Sequence, residues 1–161
     1  MAFIRTKNIK HYTYAYLVEN TWKSEGSRQK SKKYLGRVFS FPKVKDILDD
    51  SLSPKEKARI TLLTELVSKT LLEHGFTIQN KKARKSEIIV DLEAFSITQK
   101  NGKRAVLAIN NGFLSTETLQ RILQYNKSED REGYLLAKYC VEAGLFLPSK
   151  YFVALYDAAF S

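Results

Sequence analysis

The sequence predicts an α+β chain. A basic antiparallel β-hairpin or meander comes first, followed by a helix, a second β-hairpin and C-terminal helices. Three observations lead there. Residues 11–22 alternate aromatic and small or polar side chains with period two, the repeat of a strand. Residues 60–71 carry apolar side chains at helical spacing behind a helix-start signal at Ser53-Pro54. No strand–helix–strand alternation and no internal repeat occurs, which argues against a parallel α/β sheet.

Residues 2–6 suit a short strand that can add Phe3 and Ile4 to the sheet. In residues 11–22, Tyr12, Tyr14, Tyr16, Val18 and Trp22 fall on one face, and Thr13, Ala15, Leu17 and Glu19 on the other. Ser24-Glu25-Gly26-Ser27 is a turn cluster, and residues 28–39 make the return strand. Gly36 inside that strand points to a bulge or a close backbone approach. Pro42 ends the sheet, and residues 43–50 suit a short helix.

Ser53 as N-cap, Pro54 in the first turn and Glu56 completing a capping box open the main helix. Its expected inner face is Ile60, Leu63, Leu66, Val67, Thr70 and Leu71. It should stop at His74-Gly75, with Gly75 in the left-handed cap. Residues 76–80 form a short strand and residues 81–85 a basic loop. Residues 87–99 and 103–110 flank Asn101-Gly102, the best short hairpin signal in the chain. Ser115 or Thr116 caps a helix to about residue 125. Ser128 caps another over 129–143 that Gly144 stops, and Pro148-Ser149 opens a last helix over 150–160. The boundaries suggest either a module over 1–41 with an α+β body over 42–161, or one continuous domain.

Charge is the main functional signal. The first 45 residues hold 11 Lys or Arg and two acids, so they carry +9 of the chain's +10. Folding alone does not require such a split, whereas a polyanionic partner would select for it. The candidate nucleic-acid contacts are Arg5, Lys7, Lys10, Lys23, Arg28, Lys30, Lys32, Lys33 and Arg37, with Tyr12, Tyr14 and Trp22 as stacking rings. The bland reading of the same segment is a sheet with a Tyr-rich core face and a solvated Lys face. Lys81, Lys82, Arg84 and Lys85 form a second candidate phosphate contact, with Lys100, Lys103 and Arg104 expected near it. No recognition helix bearing base-reading side chains stands out, so charge or shape recognition is expected, of DNA or RNA alike.

A resemblance points the same way. Ala2-Phe3-Ile4-Arg5, His11-Tyr12-Thr13-Tyr14-Ala15-Tyr16-Leu17-Val18-Glu19-Asn20, Arg28-Gln29-Lys30 and Tyr34-Leu35-Gly36-Arg37 occur in that order. This resembles the N-terminal segment of DDE-class insertion-sequence transposases, where the pattern runs roughly A-(Y/F)-I-R, Y-x-Y-L-V-E, R-Q-K, Y-L-G. There the segment precedes the catalytic core and helps hold DNA. The match covers residues 2–39, under a quarter of the chain. No RNase H-like core of the usual length follows, so the resemblance implies nucleic-acid contact and not strand transfer.

Catalytic signals are thin, and a non-enzyme is expected. Glu87, Asp91, Glu93 and Lys103 allow a sketch of a metal-dependent nuclease, yet Asp91 and Glu93 would point to opposite faces of a strand, and solvent-facing pairing with Lys100, Lys103 or Arg104 explains them as well. Cys140 lies in an apolar helical stretch and reads as a small buried hydrophobe. His11 and His74 are not placed beside it, and no metal-ligand, Walker or dinucleotide motif occurs, so no cofactor or metal is expected. One cysteine cannot form an internal disulfide, which fits a reducing cytoplasm, and residues 1–10 lack the apolar core of a secretory signal. No apolar run is long enough to span a membrane. The aromatic helix at 150–160 suits the core and also leaves room for a homodimer or protein partner. The alternatives to nucleic-acid binding are a protein-interaction or ribosome-associated factor and the small nuclease.

Overall fold

The computed structural model describes residues 2–23, 26–47, 57–128 and 133–159. Three long strands come first: β1 (Ala2–Ile9), β2 (Tyr12–Lys23) and β3 (Gly26–Ser40). Helix α1 (Arg59–Glu73) follows, then four short strands, β4 (Thr77–Gln79), β5 (Lys82–Lys85), β6 (Ile88–Asp91) and β7 (Ser96–Gln99). Strands β8 (Ala105–Ile109) and β9 (Gly112–Leu114) precede helices α2 (Thr116–Leu123), α3 (Tyr134–Glu142) and α4 (Ser149–Asp157). The chain is α+β, with long strands first and helices mostly last. No helix among the described residues is long and apolar enough to cross a membrane.

The strands form two sheets. One is ordered β1-β2-β3-β8-β9, the other β4-β5-β6-β7. The first three strands pair antiparallel, and β8 then joins β3 in parallel, with Val38 opposite Val106. This pairing draws residues from both sides of residue 41 into one sheet. It also places side chains on two faces with different tasks. Phe39, Leu107 and Ile109 face the main core, which α1 fills with Leu62, Leu63, Leu66, Val67 and Leu71. Ala15, Leu35 and Val106, joined by Ile4, Leu17, Val38 and Phe113, make a second, small cluster on the reverse face. That cluster draws on all five strands, edges included, so the sheet curls around it.

Gly36 lies where β2, β3 and β8 meet. Its φ is +133°, and a Cβ there would stand 2.7 Å from the carbonyl oxygen of Arg104. The β2–β3 register also shifts beside it. Both the bulge and the close approach expected of a strand glycine are therefore present. The two other glycine stops hold as well. Phe76 N–H donates to Leu71 O and Gly75 N–H to Leu72 O; Leu145 and Gly144 repeat the pattern on Cys140 and Val141. Both ends carry the paired bonds that satisfy last-turn carbonyls, with Gly75 and Gly144 at positive φ.

Several expectations need correction. Residues 43–47 are not helical: Val44 and Lys45 donate backbone bonds to Glu73 O, which hooks this segment to the end of α1. Ser53, Pro54 and Glu56, and the turn residues Ser24 and Glu25, lie outside the described residues. On α1 Ile60 is 60 % exposed, and Leu62 takes the inner position. Residues 82–85 are a strand, because two-residue turns at Asn80-Lys81 and Ser86-Glu87 let Ala83 pair with Val90 over the core. Residues 87–99 divide into β6 and β7, since Asp91 Oδ1 accepts the Glu93 and Ala94 N–H groups and turns the chain. The Asn101-Gly102 turn is present, with Gly102 N–H bonded to Gln99 O and Gln99 N–H to Lys103 O, but it does not join a two-stranded hairpin: β7 and β8 go to different sheets, linked by an isolated bridge between Thr98 and Arg104. Ser115 caps α2 in a reciprocal pair with Thr118. Helix α3 begins at Tyr134 after Gly133, while Ser128 donates to Asn126 Oδ1 within a turn.

Buried Arg59 ties the helices together by donating to Leu123 O and Ala158 O, at the ends of α2 and α4. In α4, Tyr151 and Leu155 are buried and Phe152 and Tyr156 pack on the core, so its aromatic density serves the interior. Phe160 lies outside the described residues.

Candidate nucleic-acid interface

Directly opposed residues of an antiparallel pair share a face. Arg5 opposes Tyr16, Lys7 opposes Tyr14, and Ile9 opposes Tyr12. Across the other ladder Tyr14 opposes Arg37 and Tyr16 opposes Tyr34. Arg5, Lys7 and Arg37 therefore stand on the same face as Tyr12, Tyr14, Tyr16 and Tyr34. Trp22 follows Tyr16 on that face by strand parity and is 83 % exposed near the tip. Lys10 sits in the tight β1–β2 turn at φ 57°. Lys23 closes β2 opposite Gly26.

The cations on this face touch the rings. The Arg37 guanidinium lies 3.6 Å from the Tyr12 ring centre and 4.6 Å from that of Phe39, and Lys7 Nζ lies 5.1 Å over Tyr16. Tyr34 packs 5.3 Å from Tyr16 and 6.3 Å from Tyr14. Tyr12 and Tyr34 nevertheless remain 46 % and 45 % exposed. Partial burial, and then the neighbouring Tyr14 and Tyr16, push the Tyr34 phenol above its ordinary value.

The reverse face carries the other half of the charge. Arg28 opposes Thr21, Lys30 opposes Glu19, and Lys33 opposes Leu17. Lys32 pairs with Glu19 at 2.9 Å and Lys33 with Glu117 at 3.1 Å. The hydrogen bond from Lys32, then its charge, hold the Glu19 carboxyl below the usual carboxylate range.

A cleft of about 500 Å³ opens on the aromatic face. Tyr12, Tyr14, Tyr34 and Arg37 form one wall, and the turn from Gln99 to Arg104 forms the other. Arg104 fixes that turn: its Nε donates to Leu35 O at 3.3 Å and its Nη2 pairs with Glu117. Glu117 lies in the first turn of α2, where a carboxylate also suits the helix dipole. Lys103 is left exposed on the rim. A shallower hollow lined by Ile9, Tyr14, Tyr16 and Tyr34 continues the cleft along the strand.

The second basic segment has its Lys81–Lys82 end away from this surface and its Lys85 end, opposite Ile88, at the end of the smaller sheet that carries Gln99. Lys82 opposes Asp91 and Asp91 opposes Ser96, so the Asn80-Lys81 turn stands at the end of the smaller sheet away from the 99–103 turn. Lys81 pairs with Glu93 at 2.8 Å, and Lys85 donates to His74 O and lies 5.1 Å over Phe41. Lys82 and Arg84 point outward from β5. Of the three cations expected near residues 81–85, Lys100 lies by the Ser86-Glu87 turn, with its N–H bonded to Glu87 O, whereas Arg104 bonds to Leu35 of β3 and Lys103 lines the cleft beside the N-terminal tyrosines. Gln99, Asn101, Lys103 and Arg104 join the candidate site. Of these the hairpin signal marked only the turn, and its docking against β3 has no local signature.

Two acids of the nuclease alternative, Asp91 and Glu93, are engaged elsewhere. Asp91 builds its own turn, whose backbone N–H bonds from Ala94 and then Glu93 hold its carboxyl below the ordinary value. Glu93 pairs with Lys81, and Arg104 pairs with Glu117, so neither follows the pairing expected from sequence. Asp91 ends its strand and Glu93 sits in the following turn, so they do not share a strand. No group of three His, Cys, Asp or Glu side chains among the described residues is arranged to hold a metal. Buried Cys140 has its thiol pushed up to about 12 by burial, which leaves it protonated and unreactive at neutral pH. No family model, curated protein or solved structure matches the chain.

Proposed function

We propose that this chain binds nucleic acid without catalysis, through the aromatic face of its N-terminal strands. One observation carries the reading: Arg5, Lys7 and Arg37 share a face with four tyrosines, beside a cleft whose far rim supplies Lys103. Cations bind phosphates, and exposed rings beside them offer bases or ribose a flat apolar contact. The +9 charge of the first 45 residues and the likeness of residues 2–39 to the N-terminal segment of DDE-class transposases support it. The likeness is read as shared nucleic-acid contact only.

The test is a binding series in rising salt on duplex DNA, single strands and structured RNA, with and without magnesium. Affinity should fall by orders of magnitude between about 50 and 200 mM salt for roughly six phosphate contacts. Salt-insensitive affinity would reduce the charge to a solvated face. Magnesium-dependent cleavage would overturn the non-catalytic part, and a lack of binding to all three would leave a protein-interaction role.

A further inference from the structure

We infer that the preferred ligand of the aromatic face is single-stranded nucleic acid, with unpaired bases stacked in the cleft between the N-terminal tyrosines and the 99–104 turn. The inference rests on the nucleic-acid reading above and specifies its substrate class.

Ring exposure is the first argument. Tyr12, Tyr34 and Trp22 are 46 %, 45 % and 83 % exposed on one face. A duplex hides its base planes inside the stack and offers phosphates and groove edges, for which open phenol and indole faces are poor partners. An unpaired base offers its π-face directly, whatever its identity.

Spacing is the second. Tyr12, Tyr14 and Tyr16 stand at alternate positions of one strand, so their Cα atoms repeat at about 6.7 Å. Bases along one strand of a duplex repeat at about 3.4 Å. A strand that follows the tyrosine row must therefore be extended and unstacked, which a single strand can be and a duplex cannot.

Shape is the third. The cleft of about 500 Å³ runs into the hollow of about 400 Å³ beside Ile9 and Tyr16, with Tyr14 and Tyr34 lining both. This makes a continuous trough along β2. Lys7, Arg37 and Lys103 stand at its sides, at positions where a backbone would pass while its bases turn inward. Gln99 and Asn101 add amide groups in the wall of the cleft. On the reverse face, by contrast, Lys30 and Lys33 stand beside the apolar cluster of Ala15, Leu17 and Leu35.

The chain's single tryptophan, Trp22, provides a direct probe. The intact protein would be titrated with oligothymidylate and oligouridylate of about twelve nucleotides, a length within the range one such face holds, and with a duplex of equal length. Tryptophan quenching and anisotropy are read together. Both single strands should bind at least tenfold more tightly than the duplex at equal salt. Tyr12→Leu and Tyr34→Leu keep apolar bulk and remove the ring. Each should weaken single-strand binding roughly five- to hundredfold and leave duplex binding unchanged, at an unaltered melting temperature for Tyr12→Leu. Duplex affinity equal to or above that of the single strands, with both leucine variants silent, overturns the inference and leaves the nucleic-acid reading standing. Absence of binding to every oligonucleotide overturns both.

Discussion

The two faces of the N-terminal strands are similar in cationic charge and differ in what that charge touches. On the aromatic face Arg37 and Lys7 lie against rings, near an open cleft. On the reverse face Lys32 and Lys33 are held by Glu19 and Glu117, above a small apolar cluster. Two register shifts in β3 create the division. Leu35 and Lys32 are the extra residues, each left without a partner in the β2 ladder. An extra residue flips the face of everything beyond it. The shift at Leu35 brings Arg37 onto the side of Tyr34, and the shift at Lys32 sends Lys30 and Arg28 to the other. A count of basic residues sees one patch where the backbone makes two surfaces.

The largest expected effect follows from breaking the junction that sets this geometry. Gly36→Ala places a Cβ 2.7 Å from Arg104 O at a φ of +133°, a region essentially reserved for glycine. Strain and steric conflict together should cost about 2–4 kcal/mol, read from the midpoint of chemical denaturation. A loss below about 1 kcal/mol would mean that β3 and β8 approach each other less closely than described.

A smaller effect separates the faces directly. Arg5→Gln with Lys7→Gln should weaken binding of single strands about tenfold and lower the salt slope by about two contacts. Lys30→Gln with Lys33→Gln removes the same charge from the reverse face and should change affinity less than threefold once long-range attraction is screened. Equal losses from both pairs would show that net charge alone governs binding.

Much of this fold was readable along the chain, because local signals mark local events. Gly75 and Gly144 terminate helices, Ser115 caps one, Gly102 makes a turn, and the period of residues 11–22 makes a strand. Residues 82–85 misled because three of four are cationic; only Ala83 is buried, and its pairing with Val90 is what makes them a strand. Ile60 misled for the opposite reason, since the face of α1 is set by the sheets it meets and not by its own periodicity. The candidate site was half legible. The tyrosines and Arg37 stood out, whereas Arg104 reaches Leu35 across 69 residues, a contact that only the parallel β3–β8 pairing produces.

The finest test concerns one carboxylate. Lys32 holds the Glu19 carboxyl below its ordinary 4.5 by hydrogen bond and charge. Such a group supports the folded state above its unfolded value, and that support is lost as pH falls through the lower folded value. Acid would also protonate bases, so Glu19→Gln isolates the charge at neutral pH. The substitution releases Lys32 and raises the net charge by one on the reverse face. If phosphates pass along the aromatic face, the added charge acts only at a distance. At physiological salt, where screening sets in over about 8 Å, affinity should rise less than twofold. At low salt a modest increase in association rate should appear, because steering responds to total charge. A tenfold rise at physiological salt that Lys32→Gln then removes would place a phosphate beside Lys32 and move the interface to the reverse face.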